Sequence, residues 1–554
     1  MPPKDRESSP ERKTPSPVRG REDMEIEAYT PPSTRTKRQI ATGAQAGPNA
    51  RTYRSRTGHS RAITERSSTT EEWAEEHERE AKLVISEGCI RRDVDKVLDL
   101  LRPRNEAVAT HASRIAADIA DQLDSLVLNS DEKGVEDILP WITPPSPHEA
   151  ETTTTTTTTT TNKGKKKKKP EATEFEAERP MYPCIITLIN LVAKKVQGSP
   201  TANRRNRKSS SLLPSRLICA CEKADVKPKG SDGSTRIDVG LVEVSPDGTL
   251  AKVDKPPSYY ELFAVIEAKC SVSGEDRAFE QLLVYTRQLY ALQHDRRFAW
   301  GVIVCGSHVR VCLLGPNEVV FASKIMDVAT KPGRKTFVEF LVNCSSCDTD
   351  QLGLDPTVTY LEDIECWKIE CPTEDGEDGP SYVYSDEVIV AADHLFGRHT
   401  RCFLGSLDMP PKGSKLRHDV VVKDSWSYAT DKRCDEVKSL RKIRDALSGR
   451  GDIDFEYPRL LHGGCAKLWT GATDGDGNPV SIADNTDYLY RDLPITTTTS
   501  NDGGNDGPAP VWPSREHRRI VMQPVGRSLR LVKSVPELII VLRDAMRCHG
   551  AILS

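Results

Sequence analysis

The chain has 554 residues, with 78 Lys and Arg against 82 Asp and Glu and a formal net charge of −4 at pH 7. Hydrophobic residues make up only 37%, too few for a chain that is globular throughout, so two or three domains separated by disordered stretches are expected. No run of about 18 apolar residues is present to span a membrane as a helix, and the 15 cysteines are scattered without an apolar leader, which points to reduced thiols in a nuclear or cytoplasmic protein.

Residues 1–70 are rich in Ser, Pro, Thr, Arg and Glu and lack an apolar period, so they read as a disordered tail. Phosphorylatable pairs such as Ser9-Pro10, Thr14-Pro15 and Ser16-Pro17 lie in it. In residues 71–150 the texture changes. EEWAEEHEREAKLVISEGCI, VDKVLDLL and ATHASRIAADIADQLDSLVL carry apolar residues at three- and four-residue steps, which predicts a small region of three amphipathic helices. Ten threonines, Thr152 to Thr161, run into KGKKKKK, and residues 151–179 read as a low-complexity linker. The basic blocks Lys165–Lys169 and Arg204–Lys208 have two readings, a nuclear import signal or nucleic-acid contact on one side and a solvated charge run on the other.

Residues 180–371 read as an α/β domain. PCIITLINLVAKKV predicts a helix, STRIDVGLVEV and YYELFAVIEAKC predict strands, and AFEQLLVYTRQLYALQ predicts a helix. FAWGVIVCG and HVRVCLLG predict a hairpin around Ser307, and KTFVEFLVNCS a further helix. Cys344 and Cys347 have a ligand-like spacing, but no second such pair lies nearby, which argues against zinc. The acidic, Gly-rich Pro372–Ser381 marks the next boundary, and residues 382–554 read as a second α/β unit.

Within the first unit, Asp238 follows a strand start, and Glu267 and Lys269 lie two apart in IEAK. Alternation along a strand puts Glu267 and Lys269 on one face. Two carboxylates can hold a hard divalent cation, and a lysine beside them can position an attacking water. Gln281 and Tyr285 follow at a four-residue step on the next helix, again on one face. This pattern resembles the restriction-endonuclease-like superfamily. The resemblance implies metal at Asp238 and Glu267, with Lys269, Gln281 and Tyr285 completing a nuclease site. The plain alternative is a scaffold in which Glu267 and Lys269 only pair with each other.

In the second unit, VVVKDSW carries Lys423 on a predicted strand, and Glu436 follows inside the helix-like DEVKSLRKIRDAL. LFGRHTRCFLG, VVVKDSW, YPRLLHGG and RRIVMQPVGRSLRLVKSVPELIIVLRDAMRCHGAIL, in that order, resemble the fungal-type protein kinase family. IEAK, QLLVYTRQLYALQ and FAWGVIVCGSHVRVCLLG resemble the region that precedes its kinase lobe, so the resemblance spans about residues 180–554. It implies ATP and Mg2+ as cofactors, Lys423 on the ATP phosphates and Glu436 orienting it. Gly397 stands where a glycine-rich loop would start, though GRHTRC lacks its further glycines. Met522, Gln523 and Val525 stand where an adenine-contacting hinge would run.

No His-Arg-Asp or Asp-Phe-Gly string follows before Ser554, so the expectation is a partial lobe that is inactive in phosphoryl transfer. The expected fold class is thus α/β (α+β), a restriction-endonuclease-like domain followed by a partial protein-kinase-like N-lobe. Expected partners are a protein substrate of the lobe, or nucleic acid at the basic blocks. A metal-dependent nuclease and a non-catalytic nuclear interaction protein stand as alternatives.

Overall fold

A computed structural model describes residues 70–128, 178, 180–198, 217–222, 237–244, 259–317, 319–373, 381–392, 394–429, 435–448, 450, 457–473, 479–491, 493, 514–526 and 529–553. The Thr/Lys stretch and both basic blocks lie outside them. The order of elements in the first half is α1 (Thr70–Ser86), β1 (Ile90–Val94), α2 (Glu106–Leu128), α3 (Met181–Gly198), β2 (Leu217–Glu222), β3 (Val239–Val244) and β4 (Leu262–Lys269). Then come α4 (Glu275–Leu292), β5 (Ala299–Cys305), β6 (His308–Leu314), β7 (Val320–Ser323), β8 (Met326–Asp327) and α5 (Lys331–Ser346).

The first sheet has the order β1-β7-β6-β5-β4-β3-β2, with β8 beside β6. Strands β2, β3 and β4 pair antiparallel; helix α4 then carries the chain across so that β5 runs parallel to β4. Every residue of β4 and β5 is buried, which is why LFAVIEAK and AWGVIVC are almost continuously apolar. The region expected to be three helices differs. IRRDV forms a strand parallel to β7, and Leu98–Leu101 is a single 3-10 turn. Ala81, Val84, Val94, Leu101, Ile115 and Ile119 join the same core as α3, α4 and β4. Residues 70–128 are therefore part of the first sheet's unit, not an appendage.

The second sheet has the order β14-β17-β13-β12-β11-β10-β9. Its members are β9 (Val358–Leu361), β10 (Cys366–Cys371), β11 (Ser381–Val390), β12 (Arg401–Ser406), β13 (Val420–Tyr428), β14 (Arg459–Cys465) and β17 (Arg515–Gln523). A hairpin of β15 (Lys467–Thr473) and β16 (Pro479–Ala483) precedes the one-turn helix α7 (Thr486–Leu489). Helix α6 (Glu436–Ser448) joins β13 to β14, and α8 (Val535–Leu553) comes last.

The boundary expected at residues 372–381 moves. Cys371 pairs with Ser381 and Trp367 with Ser385, so this stretch joins two neighbouring strands of one sheet, and the second sheet already begins at Val358. The described residues belong to one compact unit, and Ala392, Leu395, Leu489, Tyr490 and Leu493 pack into the first core. Among the described residues no helix is long and apolar enough to cross a membrane.

Candidate functional site

Strand β13 lies between β12 and β17, and its burial alternates. Val420, Val422 and Asp424 are buried while Val421 and Lys423 are half-buried, as the period of two requires. The run VVVK thus turns Lys423 to the more open face. Helix α6 starts beside it. The Asp435 carboxylate accepts from the N–H groups of Val437 and Lys438 (3.0 and 3.3 Å), an N-cap that fixes the first turn. Val437 packs on Leu460 and Ile520. Glu436 then receives both bonds of a forked ion pair, Lys423 Nζ donating to Oε1 at 2.6 Å and to Oε2 at 2.7 Å. The two side chains are 19% and 40% exposed, so the pair adds at most about 1 kcal/mol to stability. What it supplies is position: an ammonium held over a half-open face.

Strand register shows what else lies on that face. Lys423 is directly opposite Cys402 on β12 and Ile520 on β17; Val421 is opposite Leu404 and Met522. Directly opposed residues share a face. Cys402, Leu404, Val421 and Met522 are half-buried, and together they make an apolar shelf that ends at the ion pair. Burial pushes the Cys402 thiol up to about 11 against the pull of Lys423, so this side chain stays neutral. Gln523 ends β17 opposite Arg459, followed by a cis peptide to Pro524 and then Val525, both Gln523 and Val525 half-buried. Gly397 lies in the connection between β11 and β12. It has φ +112°, a conformation that favours glycine, but its N–H donates to Pro316 O of the first unit (3.3 Å). That amide is engaged inside the protein. Sequence reasoning reached Lys423 and Glu436 but missed Cys402, Leu404 and Val421, which only the pairing of β12 with β13 reveals.

The opposite face of β13 carries a buried chain of charges. Asp424 Oδ1 meets His517 Nε2 at 2.9 Å and Arg519 Nε at 3.1 Å. His517 Nδ1 meets Asp484 Oδ2 at 2.8 Å, and Asp484 in turn accepts from Arg297 Nε at 2.7 Å, with a second contact from Arg297 Nη2. Arg519 also reaches Asp355 (2.9 Å). All of these are buried. Burial alone would raise the carboxyl of Asp424, yet His517 and Arg519 outweigh it and hold it well below the usual carboxylate range. Burial would likewise lower His517, yet Asp424 and Asp484 push it up to about 9, so the ring is an imidazolium at neutral pH.

In the first unit the structure brings Asp238, Glu267 and Lys269 together. Lys269 Nζ donates to Glu267 Oε1 at 2.6 Å. Asp238 accepts from the Ala268 N–H (2.9 Å) and from the Tyr182 hydroxyl (2.8 Å). Glu178, which sequence reasoning missed, lies 3.4 Å from Lys269 Nζ; its four-residue step to Tyr182 is the signal that could have found both. Tyr285 is buried, and burial followed by the nearby Glu267 and Asp238 charges raises its hydroxyl well above its ordinary value. The Gln281 side chain has its Oε1 buried without a hydrogen bond.

This cluster is closed. Glu267 is 0% exposed, Lys269 3% and Asp238 8%. Burial, then the Asp238 charge, raises Glu267 well above the carboxylate range, and burial raises Asp238 and Glu178 as well. One ammonium faces three buried carboxylates, and burial works against the charged form of each. Among the described residues no group of three or more His, Cys, Asp or Glu could hold a metal ion.

The family model for fungal protein kinases matches residues 236–449 and 473–554, more than half of the chain. No curated protein and no solved structure matches. The first matched stretch runs unbroken through Asp238, Glu267 and Lys269 to Lys423 and Glu436. It gives no support to the nuclease-like reading of the first unit, which rests on residues and topology alone. The chain belongs to the fungal protein kinase family.

Proposed function

We propose that the chain binds a nucleoside triphosphate, ATP by family, on the open face of the second sheet. The observation that carries this is the forked Lys423–Glu436 pair (2.6 and 2.7 Å) at the end of the Cys402–Leu404–Val421–Met522 shelf. A flat apolar base suits the shelf, and polyphosphate suits a lysine that a helix glutamate holds in place. Gln523 and Val525, just beyond β17, are assigned to the base edge. Mg2+ would accompany the phosphates and offset their charge; no metal ligand is assigned to it here. The sequence holds no His-Arg-Asp or Asp-Phe-Gly string, so the proposal is confined to nucleotide binding and leaves phosphoryl transfer unassigned. The test is an ATP titration of the full chain and of Lys423→Ala, with and without Mg2+. Affinity at least tenfold weaker in the variant supports the reading, and equal affinity overturns it.

A second reading, metal-dependent nucleic-acid cleavage, is kept for the first unit. It is favoured by the convergence of Asp238, Glu267 and Lys269. Its closure argues the other way. Mg2+-dependent cleavage lost on Glu267→Ala supports it; no cleavage by the wild-type chain removes it.

A further inference from the structure

Adjacent residues of a strand point to opposite faces, so Lys423 and Asp424 are the two sides of one backbone position. On one side is the half-open shelf. On the other, Asp424 is the end of a buried relay that runs through His517 and Asp484 to Arg297, just ahead of β5 in the first sheet's unit. Neighbouring contacts reinforce the relay. Trp426 stacks on His517, with ring centroids 4.9 Å apart and planes 9° from parallel. Arg401, opposite Asp424 in register, donates to the Arg296 carbonyl at 2.8 Å. The Asp355 N–H donates to Asp295 O at 2.7 Å, and the Arg297 N–H to Gly353 O at 2.7 Å. Residues 295–297 are thus held by main chain and side chain together.

We propose that the first unit is a positioning element for the nucleotide site, with Arg297, Asp484 and His517 as positioning residues that fix Asp424 and through it Lys423. The inference rests on nucleotide binding at Lys423. Its physical basis is that a buried hydrogen-bonded charge cannot shift without leaving its partner unpaired in a medium that does not solvate it. Movement of residue 424 toward or away from α6 is therefore blocked from behind. The Lys423–Glu436 pair, itself too exposed to hold the strand, inherits its geometry from the relay. By reciprocity, a nucleotide that engages Lys423 must tighten the relay in turn.

The experiment uses the full chain, and Arg297 is the residue to change because it touches nothing on the shelf side. Nucleotide affinity and acylation of Lys423 by a lysine reagent, read by mass spectrometry, are compared in wild type, Arg297→Met and Arg297→Lys, all confirmed folded by a single cooperative melt. The proposal expects at least fivefold weaker affinity and altered Lys423 labelling in Arg297→Met, with Arg297→Lys nearer to wild type. Unchanged affinity and labelling in Arg297→Met overturn it. Because Arg297→Met can fail to fold, the wild-type protein gives a second measurement. Saturating ATP with Mg2+ should slow amide exchange at His517 and Asp484, whose N–H groups bond to Asp484 O and Ala466 O (both 2.8 Å). Bound nucleotide that leaves both amides unchanged also overturns the proposal. A wild-type chain that binds no nucleotide sinks the nucleotide reading instead, and the labelling of Lys423 in Arg297→Met still judges the relay.

Discussion

The lysine–glutamate pairs Lys423–Glu436 and Lys269–Glu267 look alike as motifs and differ in physics. Lys423 and Glu436 meet one to one across a strand and a helix, half-exposed, at the end of an apolar shelf. Lys269 and Glu267 meet on one strand, sealed from solvent, with Glu178 against the same ammonium and the Asp238 charge nearby. The first pair is half-open to solvent, and the second is a closed cluster with more carboxylates than ammonium. What separates them is access and charge balance rather than the residue types, and each can be perturbed in ways that test the contrast.

The largest effect is expected behind the first pair rather than in it. Asp424→Ala leaves Arg519 and His517 buried without their shared carboxylate, and it should destabilise by about 3–5 kcal/mol in urea denaturation. Next comes pH. His517 has its folded-state pKa raised to about 9, so its contribution is complete below about 6.5 and is lost as pH rises through 9. Roughly 3 kcal/mol should go across that window, and a flat stability profile between pH 6.5 and 9.5 contradicts the relay's charge assignment.

Lys423→Ala comes third. It should change stability in the absence of ligand by no more than about 1 kcal/mol, yet cut to about half or less the stabilisation by ATP, which in the wild type reaches about 2.7 kcal/mol at a hundred times Kd. A melting series with and without ATP measures both quantities. The smallest effect belongs to the closed cluster. Burial, then the Asp238 charge, raises Glu267 well above its ordinary value, so its contribution to stability falls as pH climbs above its unfolded value of about 4.3. Glu267→Gln removes that slope while costing about 1 kcal/mol or less near pH 5. A loss of several kcal/mol at that pH shows instead that Glu267 is an ionised partner of Lys269.

Sequence periodicity carried much of this fold, because the strands and helices around both lysines are long enough to display it. VVVKDSW read correctly as a strand and QLLVYTRQLYALQ as a helix, while the open face of β13 shows only in its burial. Two assignments failed for the same physical reason: a partner distant in sequence decides them. IRRDV has too few residues to show a strand period, and only its pairing with β7 makes it one. PTEDGEDGPS has linker composition, but the Cys371–Ser381 pairing makes it the connection of a hairpin. The relay joins Arg297, Asp424, Asp484 and His517 from four separate segments, and no local pattern contains it. One trace of it was present. Arg515, His517 and Arg519 alternate along REHRRIVMQ, which puts three basic side chains on one face of a strand, and that face is buried. The shelf was hidden in the same way, since Cys402 and Leu404 gain meaning only opposite Lys423 and Val421.

The central claim is that Lys423 touches nucleotide phosphate, and affinity labelling tests it most directly. An ATP derivative with an acylated terminal phosphate transfers its acyl group to an amine lying against the phosphates, and mass spectrometry of the full chain then identifies the modified residue. The account predicts that Lys423 carries the label and that excess ATP suppresses it. Labelling of other lysines with Lys423 untouched, or labelling of Lys423 that ATP does not reduce, would contradict it.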